Sequence, residues 1–411
     1  MLVLFQNCRL LDPEASELRE GVSVLVEDEH IREVSDRALS ASGATVFDLR
    51  GLVLMPGLID AHAHVYLSEV NIGLLADIPL TLMAARAGPL MQAMLDRGFT
   101  TVRDTGGADW GIREAVETGQ MVGPRLFIAG QAISQTGGHG DFRLRTESEH
   151  ACQCCSGVHQ ISRIVDGVPQ MLHAVRDELR KGADLIKIMV SGGVASPRDP
   201  LEATQFTREE IAAAVGEATA WGTYVASHAY GADAIRRAVE CGVRTIEHGT
   251  FVDAPTAKLM RERGAFIVPT LVAYDAMKRR GREYGLPQVS LEKNERVLAA
   301  GLRSLEICRD AGVPIGFGSD LLGQLQDDQS REFLIRGEAM TPLEVIRSAT
   351  VVNARLLRRE SELGTIRPGA FADLLVVDGN PLEDLGLFQK QGAHIPVIAK
   401  GGRFHKNELS R

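Results

Sequence analysis

Short apolar segments alternate with amphipathic segments of helical period along most of the chain, and this alternation restricts the fold more than any other feature. The helical pattern is clear at residues 208–221 and 232–241, and Thr341-Pro-Leu-Glu344 predicts a helix start with a capping box. The strand candidates are residues 53–59, 100–103, 126–129, 185–189, 224–227, 245–247, 266–269 and 315–318. Eight strand–helix units over about 300 residues predict an α/β fold, a (β/α)8 TIM-like barrel with insertions.

The two ends of the chain have a different pattern. Residues 1–53 contain short strand candidates separated by turn residues, with no helix between them, and residues 364–400 have the same character. We therefore predict a small β-sandwich domain built from residues 1–55 and 363–405, and a barrel domain over residues 56–362.

Composition excludes several classes of protein. Of the 411 residues, 45% are hydrophobic and 24% charged, which is typical of a globular protein, and the net charge of -9 argues against a nucleic-acid partner. The sequence lacks an apolar run long enough to span a bilayer, and its first residues lack a basic start and a signal-peptide core. We expect a cytoplasmic protein with no membrane partner and with its six cysteines reduced.

One cysteine cluster allows two interpretations. Cys152, Cys154 and Cys155 lie close to His150 and His159, so they could form a second metal site. Their spacing does not match a zinc knuckle, and a polar surface loop is the interpretation that we favour.

Polar residues that could bind a metal follow the predicted strands. His62 and His64 come at the end of an apolar run, and residues two apart in a strand point to the same side, so both imidazoles would project together. Other polar residues at or near strand ends are His139, Lys187, His228, His248 and Asp320. The carboxyl ends of barrel strands carry the active site in this fold, so we expect these side chains to converge on one mouth.

Lys187 lies inside the apolar strand Ile186-Lys-Ile188, where an ammonium group is costly unless it is paired or neutralised. One interpretation is a salt bridge inside the barrel. The other is that CO₂ carbamylates the amine, which converts a cation into an anion with two oxygens that can bridge two divalent metals. The neighbouring histidines favour the carbamate.

These residues carry a resemblance to a known family. The set His62-Ala-His64, Lys187, His228, His248 and Asp320 resembles the binuclear metal pattern of the amidohydrolase superfamily, and the likeness covers nearly the whole chain. The loops Gly137-Gly-His-Gly-Asp141 and His228-Ala-Tyr-Gly231 are similar to the branch with metal-dependent Xaa-Pro dipeptidases (prolidases), related Xaa-Arg/Lys dipeptidases and ochratoxin-type amidases. Imidazolonepropionase resembles the chain in overall plan but lacks the bridging lysine.

The resemblance implies roles for these positions. His62, His64 and Asp320 would hold a more buried metal ion, and His228 and His248 a more exposed one. Two divalent ions, zinc by preference, would be bridged by carbamylated Lys187 and a hydroxide. Asp320 would move the proton, and His139 and Tyr230 would bind the carbonyl or the terminal carboxylate of a dipeptide or N-acyl amino acid. Relatives of this type also commonly form homo-oligomers.

Several alternatives remain at this stage. Xaa-Pro cleavage is preferred over Xaa-Arg/Lys cleavage only on overall resemblance, because Asp327 and Asp328 could pair with a basic substrate, although a loop or helix-cap role is favoured for them. A cyclic-amide hydrolase or deaminase could use the same fold, and the loop at residues 321–333 would separate these activities. A scaffold protein without activity is disfavoured because the metal-ligand set is complete.

Overall fold

The computed structural model describes residues 1–144 and 160–409. The strands are β1 (Leu2–Leu10), β2 (Arg19–Glu27), β3 (His30–Ser35), β4 (Thr45–Asp48), β5 (Val53–Pro56), β6 (Leu58–Ala63), β7 (Phe99–Asp104), β8 (Arg125–Ile128), β9 (Ala132–Ser134), β10 (Ser162–Ile164), β11 (Ile186–Met189), β12 (Val225–Gly231), β13 (Thr245–Phe251), β14 (Phe266–Val268), β15 (Leu374–Val377), β16 (Val397–Lys400) and β17 (Arg403–Asn407). The cysteine cluster at residues 152–155, with His150 and His159, lies outside the described residues.

Helices follow most of the strands in the middle of the chain. They are α1 (Leu80–Asp96), α2 (Trp110–Glu117), α3 (Val168–Arg180), α4 (Arg208–Ala220), α5 (Ala232–Glu240), α6 (Ala254–Glu262), α7 (Leu271–Arg280), α8 (Gln288–Ala311), α9 (Arg331–Gly337), α10 (Pro342–Arg347) and α11 (Asn353–Leu356). The predicted start of α10 is confirmed, because Thr341 and Glu344 form a reciprocal capping box that satisfies backbone N–H groups of the first turn. Within the described residues, we find no helix with both the length and the apolar character needed to cross a bilayer.

Strands from both ends of the chain share one sheet. Its order is β17-β16-β15-β5-β1-β2-β3, with β4 also paired to β1. The decisive contact is the antiparallel pairing of β15 with β5, in which Leu375 lies opposite Met55. An apolar cluster with Val3, Phe5, Val24 and Val376 among its members covers this sheet, so burial as well as hydrogen bonding ties the two ends together.

The predicted strand at residues 53–59 was wrong in one respect, because it is two strands in two different sheets. β5 belongs to the sheet of the chain ends, whereas β6 begins a parallel sheet of order β6-β7-β8. Gly57 separates them, and a Cβ at this position would lie 2.0 Å from Thr100 Oγ1. The close packing of the Thr100 side chain on this backbone therefore requires glycine at the break.

The middle of the chain forms parallel sheets, as the alternation predicted. A second sheet has the order β10-β9-β11-β12-β13-β14, in which β9 and β10 are short strands that were not predicted. The predicted last strand at residues 315–318 forms only an isolated bridge, between Ile315 and Ile267. Among the described residues the ladders do not join into a closed barrel, so the structure supports the α/β fold and leaves the predicted barrel closure unconfirmed.

The segment at residues 315–320 nevertheless connects the two parallel sheets. On one side the Gly316 N–H donates to Ile267 O at 2.8 Å, and on the other the Ala61 N–H donates to Phe317 O at 2.9 Å. The carboxyl ends of β6, β13 and β14 and the residues after position 318 therefore come together at one edge.

Candidate metal centre

The predicted site residues line a single cavity at the carboxyl ends of the parallel strands. They are His62, His64, His139, Lys187, His228, Tyr230, His248 and Asp320. These positions span more than 250 residues of sequence, so their proximity results from the parallel strand order rather than from local sequence. The structure therefore brings these polar residues together at one opening, as the sequence predicted.

Asp320 is the group that contacts the most histidines. Its Oδ1 lies 3.0 Å from His64 Nε2 and 3.3 Å from His62 Nε2, and its Oδ2 lies 3.9 Å from His248 Nδ1. Burial alone would raise the pKa of Asp320, but the charge of His62 and hydrogen bonds from His62 and His64 hold this pKa well below its ordinary value. Asp320 is therefore a carboxylate at neutral pH, the form that binds cations.

Two of the site residues have a backbone conformation that L-residues rarely adopt. The φ angle is +72° at His248 and +51° at Asp320. Such residues cost about 1–3 kcal/mol each and are concentrated at functional sites. The surrounding hydrogen bonds hold both side chains toward the cavity in spite of this strain.

Glu247 and Arg103 orient His62 from behind. Glu247 Oε2 lies 2.7 Å from His62 Nδ1, and Arg103 Nη2 donates to Glu247 Oε1 at 2.7 Å. Thr245 Oγ1 also donates to Glu247 Oε1, at 2.6 Å. With Nδ1 engaged by a carboxylate, His62 Nε2 is the nitrogen available to a metal ion.

The structure provides no salt bridge for Lys187, which removes that interpretation for the described residues. The side chain is 2% exposed, and its amine has no ion pair or hydrogen bond within the part of the chain that the structure describes. Burial lowers the pKa of Lys187 to about 8, although the charges of Glu247 and Asp320 oppose this shift. A substantial share of the amine is then neutral near physiological pH, which is the form that reacts with CO₂.

His139 and His228 stack on each other, with ring centroids 4.1 Å apart and planes 18° apart. His228 Nε2 lies 3.0 Å from Gly192 O, so Nε2 donates to this carbonyl and Nδ1 is left for a metal. Burial, together with the neighbouring His139 and His248, lowers the pKa of His228 well below its ordinary value. A neutral imidazole in this position suits coordination.

A loop after β11 holds His139 in place. His139 Nδ1 lies 2.6 Å from Ser196 Oγ, and Ser196 in turn donates to Asp199. A Cβ on Gly193 would lie 2.1 Å from His139 Cε1, so the imidazole packs directly on the glycine backbone. The position of His139 is thus determined by packing on Gly193, by the hydrogen bond at Nδ1, and by its backbone N–H, which donates to Gln205 Oε1 at 2.9 Å.

Tyr230 lies beside His248 and pairs with a second tyrosine. Its ring stacks on His248, with centroids 5.2 Å apart, and its hydroxyl lies 3.0 Å from the hydroxyl of Tyr274. Burial and the neighbouring Tyr274 raise the pKa of Tyr230 well above its ordinary value. Both phenols are therefore protonated at neutral pH and can donate hydrogen bonds.

The donor set fits a divalent cation. Ligand atoms of His62, His248 and Asp320 lie within 4.8 Å of one another, and imidazole with carboxylate is a common zinc ligand combination. His248, which the resemblance assigns to the more exposed ion, lies close to His62 and Asp320 because Asp320 is placed between the histidines of β6 and β13.

Four residues of this site were missed in the sequence: Arg103, Glu247, Thr270 and Tyr274. Arg103 and Glu247 carried a usable signal, since each is a charged residue at the end of a predicted strand, as several of the predicted ligands are. Conversely, Asp327 and Asp328 do not line the cavity, and Asp328 pairs with Arg279 at 2.8 Å.

Comparison with known proteins adds an independent line of observation. The family model described as "Amidohydrolase family" matches residues 53–403. A crystal structure of a prolidase complexed with N-methylphosphonate-L-proline is 51% identical, has a TM-score of 0.97 and covers 99% of this chain and 100% of that chain. A crystal structure of a Xaa-Pro dipeptidase with methionine bound in the active site is 30% identical, with a TM-score of 0.88 and coverage of 99% and 100%.

Ochratoxinase from Aspergillus niger is also similar, with 32% identity over 372 residues that cover 86% of this chain and 76% of that protein. The family match spans all the cavity-lining positions described above and the strands that carry them, and on this basis the chain belongs to the amidohydrolase family.

Proposed function

We propose that this protein, an amidohydrolase that cleaves C–N bonds, is a metal-dependent Xaa-Pro dipeptidase. The observation that carries the proposal is the convergence of candidate cation ligands in one cavity of a chain that is 51% identical to a prolidase complexed with N-methylphosphonate-L-proline. The substrate would be a dipeptide, or an N-acyl amino acid, with a free terminal carboxylate.

The ligand set supports two divalent ions, with zinc as our first choice. One ion would be held by His62, His64 and Asp320 and the other by His228 and His248, with carbamylated Lys187 shared between them. When bound, the ions would supply a water molecule of lowered pKa and would polarise the scissile carbonyl. The partly neutral, unpaired amine of Lys187 is what supports the carbamate.

Asp320 is suited to move the proton of the reaction. It is a carboxylate at neutral pH because the neighbouring histidines lower its pKa, and it faces the cavity from its strained backbone position. It would accept a proton from the attacking water and deliver it to the leaving nitrogen, acting as general base and then as general acid.

His139 and Tyr230 are suited to bind the substrate carboxylate or its carbonyl oxygen. Both are buried residues that line the cavity, and the rings of both contact His228. A phenol donates without adding charge, and an imidazole can add a charge-assisted hydrogen bond when it is protonated.

The remaining wall of the cavity favours an apolar acyl group over a basic one. Its apolar residues are Leu67, Val70, Ile72, Phe142, Ile161, Met189, Val194, Ala195, Ala273, Met277, Leu286, Leu321, Leu322 and Leu325. Among the lining residues that the structure describes, Asp320 is the sole carboxylate, so an Arg or Lys side chain would find no partner apart from the metal site. The same wall supports a second candidate, an ochratoxin-type amidase with a bulky apolar acyl group, in line with the 32% identity to ochratoxinase.

We also infer a domain architecture that goes beyond the strand pairing described above. Residues 56–362 would close into a (β/α)8 barrel through the segment at 315–320, and residues 1–55 with 363–405 would form the β-sandwich domain. We further propose a cytoplasmic homo-oligomer, which light scattering at working concentration would test.

A dipeptide screen with the zinc-loaded enzyme tests the function. We expect Met-Pro and Leu-Pro to be cleaved with kcat/KM at least about tenfold above Arg-Pro and Lys-Pro, because one buried apolar side chain contributes roughly 1.5–3 kcal/mol. N-acyl-phenylalanine substrates run in parallel identify the amidase alternative. Preference for Xaa-Arg or Xaa-Lys over Xaa-Pro, or cleavage of cyclic amides alone, would contradict the proposal.

A further inference from the structure

A chain of hydrogen bonds connects a histidine of the metal centre to the hydroxyl of Tyr230. His248 Nδ1 lies 2.8 Å from Thr270 Oγ1, Thr270 Oγ1 donates to the Tyr274 hydroxyl at 3.3 Å, and that hydroxyl lies 3.0 Å from the Tyr230 hydroxyl. All four side chains are buried. Two of them, Thr270 and Tyr274, have no role in the chemistry proposed above.

The direction of donation along these hydrogen bonds follows from counting the protons available. Each hydroxyl group has one proton to donate, and a neutral imidazole has one N–H. If His248 donates through Nδ1, then Thr270 accepts and passes its own proton to Tyr274, which passes its proton to Tyr230. The proton of Tyr230 then has no acceptor within the chain of hydrogen bonds and is available to the cavity.

The metal centre selects this direction over the reverse. Thr270 Oγ1 lies within hydrogen-bond distance of His248 Nδ1, at 2.8 Å, whereas Asp320 Oδ2 lies 3.9 Å from the same nitrogen and is too far for a hydrogen bond. Nε2 is then the nitrogen left for an ion, and an imidazole that coordinates through Nε2 carries its proton on Nδ1. In the reverse direction Tyr230 would donate to Tyr274, and only a lone pair would face the substrate.

We propose that Thr270 and Tyr274 are positioning residues that orient the hydroxyl proton of Tyr230 toward a substrate oxygen, with the direction set by His248. The inference rests on the proposed roles of His248 as a ligand and Tyr230 as a substrate donor. Hydrogen bonds in such a chain polarise one another, so the last donor is also strengthened.

The first test reads the direction without any substrate. The tyrosine Fermi doublet in ultraviolet resonance Raman spectra distinguishes a phenol that donates from one that accepts, and subtracting the spectrum of Tyr230→Phe isolates Tyr230. In the zinc-loaded protein Tyr230 should have an acceptor contribution to its signature, which should disappear in Tyr274→Phe. A signature of donation alone that is lost in Tyr274→Phe would show that Tyr230 donates to Tyr274 and would overturn the proposal, whatever the enzyme hydrolyses.

The second test is a double-mutant cycle on binding of N-methylphosphonate-L-proline, measured by calorimetry with zinc content determined for each variant. Tyr274→Phe should weaken binding about 3- to 10-fold, the range for one neutral hydrogen bond, and should have no further effect in the Tyr230→Phe background. Thr270→Val should behave like Tyr274→Phe, and Thr270→Ser should restore wild-type affinity.

The control is Tyr284→Phe. Tyr284 follows α7, the helix that carries Tyr274, but it does not line the cavity, so its substitution should not change affinity. An equal loss from Tyr274→Phe in both backgrounds would show that Tyr274 acts only through packing and would refute the relay. If wild-type protein bound no phosphonate and cleaved no Xaa-Pro substrate, the proposed function would fail, and the Raman result would still decide the direction of the hydrogen bonds.

Discussion

On the side of the cavity formed by β6, β7 and β13, the hydrogen bonds behind the site are made by charged groups. On the side formed by β12 and α7, they are made by neutral hydroxyl groups. We call the first the ionic wall (His62, Arg103 and Glu247) and the second the hydroxyl wall (Tyr230, Thr270 and Tyr274). In the ionic wall both members of the Arg103–Glu247 pair are 0% exposed. In the hydroxyl wall the side-chain hydrogen bonds described above join uncharged hydroxyl groups to one another or to an imidazole.

The difference indicates a division of tasks. A buried charge pair is costly to break, so the ionic wall fixes the orientation of His62, a proposed metal ligand, and substitutions in this wall should be poorly tolerated. Removing one neutral hydroxyl group costs little stability, and a set of hydroxyl groups can leave one donor free for a substrate. We therefore expect damage to the ionic wall to appear in stability and metal retention, and damage to the hydroxyl wall to appear in catalysis.

The largest effect should come from Glu247→Gln. This change leaves the Arg103 guanidinium buried beside a neutral amide, and breaking such a pair costs about 3–5 kcal/mol of unfolding free energy. Zinc should also dissociate faster into a chelator, because His62 loses its oriented partner. Urea denaturation and chelator kinetics measure the two effects.

Glu262→Gln is the matched control, because Glu262 is exposed and pairs only loosely with Lys258, at 3.9 Å. It should change stability by less than about 1 kcal/mol. If the two variants were equally stable, the ionic wall would have no special structural role.

A slightly smaller effect, of opposite sign, should come from Lys187→Met in metal-free, CO₂-free protein. The pKa of Lys187 is about 8 in the folded protein against 10.5 in the unfolded chain, so the buried ammonium destabilises the fold fully below pH 8. This destabilisation is lost as the pH rises toward 10.5. The variant should therefore be more stable than wild type by about 3 kcal/mol at pH 7 and equally stable above pH 10.5.

Lys258→Met serves as the control for this pH dependence, because Lys258 is exposed. A Lys187→Met variant with the same advantage at pH 7 and pH 10.5 would show that packing, and not the charge, is responsible. The variant should also be inactive at every pH, since it removes the proposed bridging group.

The smallest effect on stability, together with a selective effect on catalysis, should come from Tyr230→Phe. The variant should retain both metal ions and lose less than about 1.5 kcal/mol of stability. Its kcat/KM should fall by about 10²–10³-fold if the hydroxyl stabilises the developing oxyanion. A smaller loss on substrates with an amidated terminus would instead identify the carboxylate as its partner, and no loss on either would remove Tyr230 from the mechanism.

The sequence allowed the site to be predicted further than the fold that carries it. Each predicted ligand was a polar residue at the end of an apolar run or, for Lys187, inside one, and this signal is local to the sequence. Glu247 escaped notice because its partner His62 lies 185 residues away and on a different strand. Tyr274 lies on a helix whose local pattern does not reveal that its hydroxyl meets Tyr230.

The fold predictions failed where tertiary contacts override local pattern. The apolar run at residues 53–59 is continuous in sequence, yet the approach of Thr100 at Gly57 divides it between two sheets. β9 and β10 have three residues each, which is too short for a periodic signal. The segment at 315–318 has the composition of a strand but forms few ladder contacts, because it turns into the strained position of Asp320.

The most direct test of the central claim is an anomalous diffraction map of the zinc-loaded protein crystallised with N-methylphosphonate-L-proline. We predict two zinc peaks per chain, one beside His62, His64 and Asp320 and one beside His228 and His248, with carbamate density on Lys187 between them. A single peak, or a free Lys187 amine in a fully active crystal, would contradict the binuclear account.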